Sequence, residues 1–309
     1  MHRPARSRKA SSPQTGSGLP ILALLGGNIA LAFGPWFVRL ADVGPVSAGF
    51  WRLAIAAPLL IALSFAGQKR PFAAVGGLWL AILLGGIAFA ADLASWHVGI
   101  LQTTLANATL FGNSATLMYP IYGFLVARMW PTRTQGIALA LAAAGAGLLL
   151  GRSYQLSPDH LVGDLLCLLA GTLYTVYFVL MSKAREVMAP IPALALSTLA
   201  GILPLALAAQ LMGEQFWPQH WGILIGLALA SQVVGQGLMI YAIGHLPPLV
   251  VGIGLLSQPI VAGIVGWSAY GEKLGLADFI GAVLVAIALV LVRSGGSRVA
   301  PESQEPKPA

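Results

Sequence analysis

Nine side chains able to hydrogen-bond or carry charge stand inside otherwise aliphatic stretches: Asp92, Asn113, Tyr119, Tyr174, Tyr177, Gln232, Gln236, Ser257 and Gln258. A lone carboxylate in an apolar run suits proton exchange or the holding of an ammonium group. Amides and phenols offer donors and acceptors with no net charge. Such a set fits reversible recognition of a small solute, a zwitterion above all, better than bond making. Tyr119, Tyr174 and Tyr177 add apolar ring surface for aromatic or aliphatic side chains. Gln232 and Gln236 are four residues apart and so share a helix face.

Each of these residues also has a plainer reading. Asp92 could be solvated near a helix end, or could pair with Arg52 or His97. A single amide between membrane helices is glue worth roughly 0.6 kcal/mol. Trp96 and Tyr241, which lie near segment ends, read as members of an interfacial aromatic belt. Concentration is the informative feature: Asn107, Asn113 and Ser114 precede Tyr119-Pro120, and Ser257-Gln258-Pro259 sits in a later apolar run. In hydrocarbon an unsatisfied polar group costs several kcal/mol, and proline removes a helical hydrogen bond, so Pro120 and Pro259 read as hinges beside a wet interior.

The elements that must position these groups are membrane helices. The chain has 309 residues, 57% hydrophobic and 9% charged. Soluble domains are roughly 25% charged. Ten apolar segments approach the roughly 20 residues that a spanning helix needs. They are 19–40, 45–66, 74–97, 103–127, 134–151, 161–182, 190–212, 219–243, 248–270 and 275–293. The first is too long for a signal-peptide core and reads as a span. Residues 1–18 and 294–309 read as polar tails.

Lys and Arg are unevenly shared between alternate loops. One side collects 13 of the 17, and the other holds Arg39, Arg52, Arg152 and Lys273. The positive-inside rule makes the first side cytoplasmic and, with an even number of spans, places both termini there. That topology, rather than nucleic-acid binding, accounts for the net charge of +7. Cys167, the single cysteine, excludes an internal disulfide and reads as a small packed side chain.

When the chain is laid on itself with Gly26 over Gly171, the same offset puts Pro45 on Pro190, Gly99 on Gly244 and Gly136 on Gly281. It also lays five apolar segments on five. An odd number per repeat inverts one half relative to the other. The expected fold is therefore all-α, with ten transmembrane helices as two inverted five-helix repeats, 19–152 and 161–293, and substrate near the midplane.

Several motifs resemble the drug/metabolite transporter superfamily with its paired EamA-type repeats. They are Gly34-Pro35-Trp36-Phe37-Val38-Arg39, Pro45 with Phe50-Trp51-Arg52-Leu53, Gln258-Pro259, Tyr270-Gly271-Glu272-Lys273-Leu274 and Ile280-Gly281-Ala282. Through Tyr119-Pro120 and the Tyr174, Tyr177 pair the chain is most similar to aromatic amino acid exporters of the YddG type. It departs from the superfamily pattern at Arg128-Met129-Trp130, where a glycine-glutamate pair is the norm.

The resemblance implies an inner-membrane exporter of amino acids and similar small metabolites, working by alternating access, with no cofactor or metal. The lipid bilayer is its surroundings, protons are a candidate coupling ion, and both repeats in one chain make a monomer sufficient. The alternative is a multidrug or cation exporter that anchors its cargo at Asp92. An enzyme is excluded by motif: the five histidines form no HExxH or HxxxH, and no serine sits in GxSxG. A purely structural or receptor protein leaves the repeat and the buried prolines without a reason. A channel differs from a carrier in lacking saturable counterflow.

Overall fold

The computed structural model describes residues 18–102, 108, 111–151, 161–258, 260–261, 264 and 276–296. All regular elements among them are helical. The first span is broken into α1 (Leu19–Ala32) and α2 (Gly34–Leu40), and α3 (Pro45–Gly67) and α4 (Trp79–Gln102) follow. Next come α5 (Ala115–Ala127), α6 (Arg133–Gly151), α7 (Leu161–Arg185) and α8 (Pro190–Leu211). A further span is α-helical over α9 (Trp221–Leu227), π-helical over Ala228–Gly235 and α-helical again over α10 (Gln236–Ile243). α11 (Pro248–Leu255) and α12 (Leu276–Gly296) complete the described chain.

Among the described residues, six helices are long and apolar enough to cross a membrane: Leu19–Leu40, Pro45–Gly67, Gly76–Gln102, Leu161–Arg185, Pro190–Leu211 and Trp221–Ile243. Many large apolar side chains face outward, among them Leu22, Phe65, Leu125 and Leu203. In water such a coat would aggregate; in a bilayer it is solvated by lipid tails. Of the ten expected spans, 103–127 and 248–270 are only partly described, and Pro259 lies outside the described residues.

Small residues set the helix crossings. α4 packs along α7 and α8, α3 on α8, α5 on α11, α6 on α12, and α1 on α10 and the π segment. A Cβ on Gly86 would sit 2.4 Å from the Ser197 carbonyl oxygen, and one on Gly99 would sit 2.6 Å from Cys167 Sγ. The backbones touch there because nothing stands between them. Such close approach drives association where lipid is as apolar as leucine.

Consecutive helices run antiparallel, so the short connections gather at two ends. One end carries 41–44 and 213–220, and its connections exchange caps. Glu214 accepts from the Val46 and Ser47 amides at 3.1 and 2.7 Å. These bonds satisfy the first turn of α3, where the amides have no partner within the helix. Asp42 Oδ2 accepts from the Gln219 and His220 amides just ahead of α9, at 2.9 and 3.0 Å, and lies 3.0 Å from His220 Nδ1. The Gly44 amide bonds Gln215 O, and Trp51 Nε1 bonds Phe216 O beneath a cluster of Phe50, Trp51, Phe216, Trp217 and Trp221. We call this the capped end.

The opposite, basic end carries Lys69, Arg70, Arg128, Arg133, Lys183 and Arg185. Arg128 takes the left-handed conformation, with φ of 50°, where α5 stops.

The capped end has a pH signature. Partial burial pushes the Asp42 carboxyl up, but the hydrogen bonds from His220 and from the two amides outweigh it and hold the group below its ordinary 3.8. A lowered pKa means that the contact is at full strength above the ordinary value and is lost as pH falls through the lowered one. Fluorescence of Trp217 and Trp221 should therefore stay constant on acidification until below 3.8 and then change. Asp42→Asn removes that step; an unchanged step would assign it to another carboxylate.

Candidate functional site

A cavity of about 80 Å³ lies at mid-depth, walled by side chains from both halves of the chain: Leu31, Arg52, Phe89, Asp92, Leu93, Trp96, Gly112, Asn113, Ala115, Tyr174, Gln236, Leu255 and Gln258. Five residues singled out in the sequence therefore meet at one place: Asp92, Asn113, Tyr174, Gln236 and Gln258. The cavity also receives Arg52, which the sequence reading counts among the charges of the less basic side, and Trp96, which it assigns to an interfacial belt.

Arg52 sits two turns inside α3 and is 4% exposed. Its Nε donates to Gln232 Oε1 at 3.0 Å, and Gln232 Nε2 donates to Thr198 Oγ1 at 2.9 Å. The guanidinium carbon stands 5.6 Å from the Phe89 ring centroid, within cation–π range. One donor of the fork is thus tied down, and the terminal nitrogens are left toward the cavity. Arg52 and Asp92 feel each other's charge but make no direct ion pair. A charged side chain at mid-membrane costs about 2.5–3.5 kcal/mol on insertion scales, so two of them around one space mark it as a polar site with a function.

Tyr174 O–H donates to Gln236 Oε1 at 2.9 Å. That bond fixes the amide's direction: Oε1 is used, and Nε2 is buried with no partner among the described residues. On the far wall Gln258 Nε2 donates to Asn28 Oδ1 at 2.7 Å, while Asn28 Nδ2 bonds the Leu24 and Gly254 carbonyls at 2.9 and 3.0 Å. Gln258 is thereby turned with its own oxygen toward the space. The tyrosine bond yields a prediction. Tyr174→Phe loses about 1 kcal/mol of net hydrogen-bond energy and lets Gln236 turn, so KM for exchange should rise about fivefold with the thermal midpoint little changed.

The other singled-out residues lie elsewhere. Gln232 is fully buried behind Arg52, so the two glutamines do not act at one place; the π turn over Ala228–Gly235 ends between them. Tyr177 is fully buried, stacked 4.6 Å from Phe89. Ser257 Oγ donates to Gly254 O at 2.7 Å where α11 stops. Tyr241 packs on His245, 4.3 Å between centroids. His97 is buried and its Nδ1 meets Pro45 O at 2.8 Å, away from Asp92.

Tyr119 and Pro120 line a second space, a cleft of about 570 Å³ at the basic end between α5, α7, α10 and α11. The α5 helix runs unbroken through Pro120; the interruption falls earlier, at Asn113–Ser114. The Thr116 carbonyl, which Pro120 cannot bond, faces Gly252 of α11.

Cavity and cleft are one to two helical turns apart. Along α5, Ala115 lines the cavity and Tyr119 the cleft; along α7 it is Tyr174 and Ser182; along α11, Leu255 and Leu249. Between them lies a thin septum of Tyr119 on Phe178, with ring centroids 5.4 Å apart, and of Gly252 on Pro120.

A bundle of apolar helices around a charge-bearing cavity, with a wide cleft beyond a thin septum, is the build of a multi-pass membrane protein. Residues 161–294 match the EamA-like transporter family. An uncharacterized transporter of Archaeoglobus fulgidus is 25% identical over 264 residues, covering 82% of this chain and 89% of that one. A solved crystal structure of a protein shares the fold, with a TM-score of 0.74 at 18% identity over 93% of this chain and 99% of the other.

Proposed function

We propose that the protein is a carrier that exports amino acids, aromatic and other apolar ones included, and similar small metabolites by alternating access. The observation that carries this reading is the mid-depth cavity, whose wall holds one positive and one negative side chain among amides, Tyr174, Trp96 and Phe89. Balanced charge suits a zwitterion. A cation anchored at Asp92, the competing reading, would also have to face the Arg52 guanidinium. The cavity holds about 80 Å³.

Two inverted five-helix halves, 19–152 and 161–293, form the moving parts of this proposal. Its support is the pattern of packed helices. Exchanging each helix for its counterpart in the other half turns α1 on α10 into α7 on α4, and leaves α3 on α8, α5 on α11 and α6 on α12 as they are. The basic end is cytoplasmic in this reading, by the positive-inside rule, with both termini there and a bacterial-type inner membrane as the location. The single chain holds both halves and works as a monomer, with protons as the candidate coupling ion.

Counterflow in proteoliposomes tests it: vesicles loaded with unlabelled tryptophan, methionine, threonine or a quaternary ammonium drug are given the labelled counterpart. Saturable accumulation of the amino acids is expected. Exchange of the cation alone would transfer the assignment to the drug-export reading, and non-saturable flux would mean a channel.

A further inference from the structure

We propose that the cavity reads the two ends of a zwitterion separately, with Arg52 and Gln236 holding the substrate carboxylate and Asp92 and Gln258 holding its ammonium group. This rests on the amino acid reading above and names the groups that give it chemistry.

The donors come from one set of residues. Arg52 spends Nε on Gln232 and keeps its terminal nitrogens, the planar fork that matches a carboxylate bidentately. Gln236 spends Oε1 on Tyr174, and its Nε2 is buried without an acceptor among the described residues. A buried donor left unpaired is costly, and it lines the same cavity as the guanidinium. Two unspent donor groups around one space ask for an anion.

The acceptors come from another set. No described side chain donates to Asp92, although it stands half-buried on the cavity wall. Gln258 spends Nε2 on Asn28, so its oxygen remains. An ammonium donates three hydrogen bonds and accepts none, and a carboxylate with an amide oxygen supplies what it needs. The opposite charges are present but not joined, because the space between them belongs to a molecule that carries both. Trp96, Phe89, Leu31 and Leu255 complete the wall and take the apolar side chain.

Three of these groups are held in place by partners: Arg52 by Gln232 and Gln258 by Asn28, both from behind the wall, and Gln236 by the Tyr174 hydroxyl. Preorganised donors and acceptors discriminate strongly against a ligand that lacks one of the matching groups, since a buried polar group is then left unpaired.

The test uses the full-length protein in proteoliposomes and three competitors of labelled tryptophan counterflow: tryptophan, its amide and N-acetyltryptophan. The amide lacks the carboxylate and the acetyl derivative lacks the ammonium. In the unmodified protein both should compete at least tenfold more weakly than tryptophan. Arg52→Lys keeps the charge and loses the fork; it should raise KM for tryptophan at least tenfold and leave competition by the amide unchanged. Asp92→Asn should raise KM similarly and leave competition by N-acetyltryptophan unchanged. Equal competition by all three compounds in the unmodified protein overturns the inference, with no variant needed. So does a folded variant that weakens all three alike. If no amino acid exchanges at all, the functional reading falls with it; if tryptophan exchanges but is not distinguished from its amide, only the two-ended site falls.

Discussion

Replacing Gln232 by leucine should unfold the purified protein more easily and abolish measurable exchange. Gln232 lies outside the cavity, yet its oxygen takes Arg52 Nε and its nitrogen takes Thr198. The leucine leaves a buried charged donor without its acceptor, at a cost of about 1–3 kcal/mol or more. It also frees the guanidinium to swing, and a displacement of about 1 Å can cost on the order of 100-fold in rate. Gln232→Glu separates the two effects. The carboxylate can still accept from Nε, so the thermal midpoint should hold, but the new charge neutralises Arg52 and exchange should still fall. Thermal unfolding in detergent and counterflow are measured on both variants. Loss of stability in both, or activity retained in the glutamate variant, would remove Gln232 from its supporting role.

A second large effect is expected at Gly252, where a Cβ would stand 2.5 Å from Pro120 Cγ and 2.6 Å from the Thr116 carbonyl oxygen. The obstacle is a ring and a backbone atom, not the end of a flexible chain. Gly252→Leu must therefore push α5 from α11 and open the septum between cavity and cleft. Overpacking of this kind typically costs about 1–3 kcal/mol. A cysteine placed at Ala115, on the cavity side, should react with a membrane-impermeant maleimide supplied at the basic end at least tenfold faster when Gly252→Leu is also present. Cys167 is fully buried and gives little background. Equal labelling rates would mean that the seal lies elsewhere.

The spans were legible because a bilayer imposes a length and a polarity that few other environments do. The expected 45–66, 134–151 and 190–212 lie within a residue of Pro45–Gly67, Arg133–Gly151 and Pro190–Leu211. The expected 74–97 runs short: α4 continues to Gln102, past His97, whose Nδ1 meets the Pro45 carbonyl. Asn113–Ser114 and Gln232 stand out as polar residues, but polarity alone does not say that a helix breaks at the first, winds as a π turn over Ala228–Gly235 around the second, or stops at Leu255 in α11.

The site was less legible than the fold. Asp92, Tyr174, Gln236 and Gln258 stand out because a polar group in an apolar run is rare. Arg52 carries the same signal, two turns inside a span, but the loop count alone places it at the interface. Its role depends on Gln232, 180 residues away in sequence, and only the tertiary fold brings the two together. Gln232 and Gln236 illustrate the converse: equal in sequence, they differ because one meets Arg52 and the other Tyr174.

The crossed caps at Asp42 and Glu214 have a mechanical consequence. Each connection lends its carboxylate to a helix start in the other half of the chain, Asp42 to the residues before Trp221 and Glu214 to the first turn of α3. Gly44 with Gln215 and Trp51 with Phe216 add two further ties. The septum between cavity and cleft is a ring pair and a glycine contact, with the Tyr119 hydroxyl bonded to Ser182. In the alternating-access reading proposed above, the strap of crossed caps is the pivot of a clamp, and the wide cleft is its jaw.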